Sequence, residues 1–179
     1  MVPELFLITG VMASGKSTVG ELLAGRLGRG VHLRGDVFRR MIVSGREEMS
    51  ERPSSEALSQ LYLRYRLAAQ SARMYLDAGF SVVLQDNYYG RDLEYMLHLL
   101  EGCPVHLVVL CPSVETVKKR EAERGKTGYS GFSVEGLFES FMEETPRLGY
   151  WIDSSYLTPW ETAEKILEHF GIAEEIEHD

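Results

Sequence analysis

The residue types and spacing most clearly suited to chemistry in this chain of 179 residues lie between Gly10 and Thr18. Gly10-Val11-Met12-Ala13-Ser14-Gly15-Lys16-Ser17 reads G-x-x-x-x-G-K-[ST], the pattern of a phosphate-binding loop. Gly10 and Gly15 admit backbone angles that a side chain would forbid. Successive N–H groups, from Met12, Ala13 and Ser14 on to Thr18, can then turn inward as an anion nest. Lys16 adds a full positive charge beside the β- and γ-phosphates, and Ser17 offers a hydroxyl to Mg²⁺. The motif implies a nucleoside triphosphate with Mg²⁺ and leaves the phosphoryl acceptor open.

Other candidates follow along the chain. Asp36 is a carboxylate that could position an acceptor hydroxyl and take its proton, and it could equally cap the helix beginning there. Arg39 sits one helical turn on, facing the same way, and could hold an anionic part of the acceptor or orient Asp36. Arg34 could also face the cleft, whereas Arg40 is expected to point elsewhere, into solvent. Asp86 closes an apolar run, Val82-Val83-Leu84-Gln85, where a carboxylate could hold the Mg²⁺ shell through water or bind the acceptor. The run Asp86-Asn87-Tyr88-Tyr89 suits a site that hydrogen-bonds and stacks on a small polar molecule. Arg120 and Arg124 share a helix face ahead of a glycine-rich stretch at 125–131, which reads as a lid closing cations over the transferring phosphoryl group. Such a lid excludes water, which would otherwise be a competing acceptor.

These residues need elements to place them. Strands are expected at about 5–9, 31–34, 81–85, 105–110 and 150–152. Helices are expected at about 16–27, from 37, at 55–78, 91–101, 114–124, 133–144 and 159–169. The long helix at 55–78 repeats apolar residues at helical spacing, with Met74 and the tyrosines read as core-facing. The polar stretch 44–55 reads as a mobile loop, with Ser54 or Ser55 capping the helix after it. Short apolar strands alternating with helices predict a three-layer α/β sandwich around a five-stranded parallel sheet buried on both faces. Ligands of such sheets bind at the carboxyl ends of the strands, which gathers 10–17, Asp36, Asp86-Asn87 and 111–113 around one cleft.

Length and composition predict one domain over residues 1–179 with a full core, and a hydrophobic content of 44% fits a soluble globular class. The net charge of −8 argues against a nucleic-acid partner, because backbone phosphates demand a cationic face. No apolar run reaches the ~18 residues of a membrane span, and no secretory leader is legible, so a cytoplasmic location and no membrane partner are expected. Cys103 and Cys111 lack C-x-x-C spacing and read as reduced thiols. The five histidines share no metal-binding spacing.

Taken together, G-x-x-x-x-G-K-S-T at 10–18, Gly-Asp-x-x-Arg at 35–39, the strand ending at Asp86 and Arg-x-x-x-Arg-Gly at 120–125 resemble the small P-loop kinases. Trp151-Ile152-Asp153-Ser154-Ser155 and Thr158-Pro159-Trp160-Glu161-Thr162 are similar to the loop and helix that flank adenine in that group. Within it the chain is most similar to the chloramphenicol phosphotransferase and zeta-toxin branch, whose acceptors are sugars or antibiotics. The resemblance implies strand order 2-3-1-4-5, ATP and Mg²⁺ as cofactors, and Asp36 as general base. It also implies Arg120 near the adenine with Asp153, Arg124 at the phosphates, a lid over about 120–132 and an acceptor region over about 36–66. The expected activity is phosphoryl transfer from ATP to a hydroxyl of a small molecule, by a monomer or homodimer. A nucleoside or nucleotide kinase, and a nucleotide-dependent switch without transfer, stand as alternatives.

Overall fold

A computed structural model describes residues 2–123 and 133–173. In chain order the elements are β1 (Leu5–Gly10), α1 (Lys16–Ala24), β2 (Gly30–Arg34), α2 (Asp36–Arg40), α3 (Ser55–Asp77), β3 (Ser81–Gln85) and α4 (Arg91–Leu99). They continue with β4 (Val105–Leu110), α5 (Val114–Glu123), α6 (Val134–Glu144), β5 (Tyr150–Ile152) and α7 (Pro159–Phe170). The five strands form one sheet in the order β2-β3-β1-β4-β5, every neighbouring pair parallel. This is the expected three-layer α/β fold and strand order.

Strand periodicity explains the layers. Leu5 and Leu7 of β1 point to one face, where they pack with Val82, Leu84, Tyr65, Ala68 and Ala72 under α3 and α4. Phe6 and Ile8 point to the other, against Val19 and Leu23 of α1 and Ile166 of α7. β1 is buried along its whole length, as a central parallel strand covered on both sides must be. β2 is the more exposed edge.

Local signals set the element ends. Ser54 caps α3 by accepting from the Ala57 N–H. α7 opens on a full capping box, Thr158 with Glu161, and Pro159 at its first position. Asp36 is not an N-cap: it is the first residue of α2, Gly35 holds the cap position, and no side-chain capping bond forms. The Asp36 carboxylate is drawn instead to arginines on either side of it.

α3 departs from its expected face. Its buried stripe is Ala57, Tyr65, Ala68, Ala69 and Ala72, while Met74 lies 64% exposed and Tyr62 and Tyr75 are partly exposed. The alanines pack closest to the sheet, so the larger side chains between them are turned outward. Residues 41–54 form no regular element, yet Gln60 of α3 ties them down by accepting from the Glu47 N–H at 3.0 Å and donating to the Gly45 carbonyl at 2.8 Å. Among the described residues no helix is long and apolar enough to cross a membrane.

Candidate active site

The loop between β1 and α1 has the geometry its sequence demands. Gly10 has φ +149°, and a Cβ there would sit 2.5 Å from the Leu110 carbonyl oxygen, so only glycine fits between the two strands. Gly15, at φ +100°, leads into α1 with no side-chain cap, and the first turn carries no acidic residue. The positive end of the helix dipole, with no acidic residue or side-chain cap upon it, is therefore left for an anion. The Lys16 ammonium is folded onto the loop, donating to the Gly10 and Val11 carbonyls at 2.7 Å each. Ser14 is buried, Met12, Ala13, Gly15 and Ser17 are half-buried, and Thr18 is exposed.

Arg120 of α5 bridges this loop to the one after β5. It donates to the Ser14 carbonyl and to the Ser154 carbonyl, each at 3.1 Å. Burial lowers its pKa, an effect that Glu123 opposes. Asp153, next to Ser154, is exposed and accepts from the Ser155 N–H at 2.9 Å. Arg124, expected at the phosphates, lies outside the described residues, as does most of the proposed lid.

Across the cleft, Asp36 is flanked by Arg34 at 3.5 Å and Arg40 at 2.7 Å. Arg40, expected to point away, reaches back because residues four apart on a helix share a face. Arg39 pairs with Glu48 instead.

The two halves meet at the carboxyl end of β3, where consecutive side chains go to opposite faces of the sheet. Gln85 turns toward α1, its amide donating to the Ser17 hydroxyl at 3.3 Å. Asp86 turns toward α3, where it is gripped by Arg64. Arg64 Nε donates to Asp86 Oδ2 at 2.6 Å, Arg64 Nη2 donates to Oδ1, and the Asn87 N–H donates to Oδ1 at 2.8 Å. The side chains are 12% and 4% exposed. Burial pushes the Arg64 pKa down, but the Asp86 carboxylate outweighs this and the net shift is upward. Both oxygens of Asp86 are thus engaged on the face away from Ser17.

Tyr88 does not line the cleft. Its ring is completely buried, 5.2 Å from that of Tyr65. What ties the segment to β1 is the Tyr88 backbone: its N–H donates to Thr9 Oγ1 at 3.0 Å, and that hydroxyl donates to the Tyr88 carbonyl at 2.9 Å. Asn87 is half-buried beside it. Beyond lies Asp92 of α4, which accepts from the Tyr65 hydroxyl at 3.1 Å and the Tyr62 hydroxyl at 3.4 Å. Burial raises the Asp92 pKa despite these two donors.

Sequence reasoning missed Gln85 and Arg64. Strand parity would have found the first, because Val83 and Gln85 share a face with α1. The second had a weaker signal: position 64 falls on the buried stripe between Leu61 and Ala68, where a charge demands a partner.

Residues 5–140 match the AAA domain family. No curated protein matches the chain in sequence. Solved structures that superpose on it include a sugar kinase from Janibacter sp., at 20% identity over 96% of this chain and 96% of that one, with a TM-score of 0.69. The tunicamycin resistance protein of Deinococcus radiodurans is 16% identical, covering 97% of this chain and 99% of its own, with a TM-score of 0.73. A shikimate kinase from Acinetobacter baumannii, solved with shikimate, is 18% identical over 95% of this chain and 93% of its own, with a TM-score of 0.63. At these identities the likeness establishes the fold, that of the small P-loop kinases.

Proposed function

The chain belongs to the AAA domain family, and from that premise we propose that it is an ATP-dependent phosphotransferase acting on a hydroxyl of a small molecule. One observation carries the reading. The dipeptide Gln85–Asp86 is bonded to Ser17 of the phosphate-binding loop on one side and packed against Gly35, the neighbour of Asp36, on the other. A donor half and an acceptor half are thereby joined at one point.

In this reading the N–H groups of residues 10–18 and the Lys16 ammonium bind and orient the β- and γ-phosphates. Mg²⁺, when bound, neutralises phosphate charge. The Ser17 hydroxyl would hold it, with the Gln85 amide beside that hydroxyl to meet its water shell. These neutral oxygen donors fit a hard cation that keeps several waters. Asp86, also considered for the metal, is assigned to the acceptor side because Arg64 occupies both its oxygens.

Asp36 takes the acceptor proton as the new P–O bond forms, with Arg34 and Arg40 holding the carboxylate in place. Arg39, Asn87 and the 41–54 segment border the acceptor. Arg120 and Asp153 flank the base of ATP, and Arg124 takes the phosphates on the strength of the family resemblance. The named neighbours, a sugar kinase and a tunicamycin resistance protein, support sugars and sugar-containing antibiotics as the first acceptors to try.

The test is ADP release from ATP against a panel of sugars, polyols, glycosylated antibiotics, nucleosides and nucleotides. Transfer predicts ADP release that depends on one class of hydroxyl compound, with phosphate recovered on that compound. ADP release unaffected by every member would overturn the proposal.

A further inference from the structure

The contact between Asp86 and Gly35 is closer than any side chain would permit. A Cβ on Gly35 would lie 2.2 Å from Asp86 Oδ2 and 2.9 Å from its Cγ. Gly35 has φ −60° and ψ −32°, ordinary right-handed angles open to every residue. Glycine is therefore required at position 35 for space, and what occupies the space is the Asp86 carboxylate. That carboxylate is fixed in turn by Arg64, through two parallel bonds whose fork geometry leaves little freedom. The Gly35 N–H also donates to the Gln85 carbonyl at 3.0 Å, extending the β2–β3 ladder to the residue before Asp36.

α2 has only five residues and cannot hold its own first residue rigidly. We propose that Arg64, acting through Asp86 and Gly35, is the positioning residue that sets where the Asp36 carboxylate stands in the cleft. Arg64 sits in the first half of α3, so the helix that walls the acceptor region also aims the base. A carboxylate displaced by about 1 Å loses on the order of 10²-fold in rate, so a buried ion pair one peptide away has leverage on turnover. This inference rests on the phosphotransfer reading for its consequence in catalysis, but its structural content can be read without turnover.

The experiment is amide hydrogen exchange over residues 35–41 in the full chain, comparing wild type with Arg64→Met, Arg64→Lys and Gly35→Ala, alongside binding of a fluorescent ATP analogue. Arg64→Met is expected to speed exchange at 35–41 by about tenfold or more, and Arg64→Lys, which keeps the charge but loses the fork, by less. Nucleotide affinity is expected to stay within about twofold in both, because the donor half is untouched. Gly35→Ala keeps the pair but displaces it, and should reproduce the local effect even where Arg64→Met fails to fold. With any panel compound that supports turnover, kcat falls in the order wild type, Lys, Met, while KM for ATP holds. Unchanged exchange at 35–41 in both Arg64→Met and Gly35→Ala would overturn the inference, as would acceleration spread evenly over the sheet. Absence of acceptor-dependent ADP release in wild type would sink the phosphotransfer reading alone, leaving the exchange result to decide the positioning.

Discussion

At the scale of single residues, the candidate site divides into groups whose placement was legible from their neighbours in sequence and groups whose placement was not. Lys16, Ser17 and the glycines of the loop are spaced by local geometry, so eight consecutive residues suffice to recognise them. Asp36 was also legible as a candidate, but its partners were not: Arg40 rather than Arg39 reaches it. Arg64 was harder to find because its partner lies 22 residues away, just past the end of β3. Replacing Asp36 with Asn should remove the proton acceptor while keeping shape, lowering acceptor-dependent kcat by about 10²- to 10⁴-fold with nucleotide affinity retained. Steady-state kinetics and a nucleotide titration check both halves of that statement. Lys16→Ala should instead weaken nucleotide binding, removing most of the thermal stabilisation by Mg·ATP. Saturating wild type at about 100 times Kd adds about 2.7 kcal/mol, which a melting curve resolves.

At the scale of elements, each short piece of the fold depends on a tie that can be cut. α7 begins with the reciprocal Thr158–Glu161 box, so Thr158→Ala should cost about 1 kcal/mol, measured by urea unfolding. β2, the sheet edge, carries His32, whose pKa is lowered first by burial and then by Arg34, with Glu21 and Asp36 opposing. A base lowered in the fold stays neutral there while the unfolded chain binds a proton. Its stabilising contribution is therefore complete above the ordinary value of 6.5 and is lost as pH falls toward and through the lowered one. Wild type should lose stability between pH 6.5 and lower pH more steeply than His32→Gln, in paired unfolding curves. The faces of α3 were only half legible in the sequence. Tyr65 and the alanines are buried as expected, but the stripe is narrower than the apolar pattern, so Met74, Tyr62 and Tyr75 were expected inside and stand at least partly outside.

At the scale of the molecule, the parallel sheet and its two covered faces followed from short apolar strands alternating with helices, because only burial on both sides explains strands without polar alternation. Strand order is a different kind of information. Nothing in β2 or β5 alone says which edge each takes, and the family resemblance supplied what periodicity could not. The sheet makes the junction by parity: at the end of β3 one residue faces the phosphate-binding loop and the next faces α3, so a single dipeptide ties that loop to the Gly35–Asp36 turn. The most direct measurement is a single-turnover assay with ATP labelled in the γ-phosphoryl group, using the panel compound that best stimulates ADP release. The proposed function predicts that label appears on an acceptor hydroxyl in wild type, and that Asp36→Asn binds ATP normally but transfers at least about 10²-fold more slowly. Label released only as inorganic phosphate, or transfer at the wild-type rate by Asp36→Asn, would contradict it.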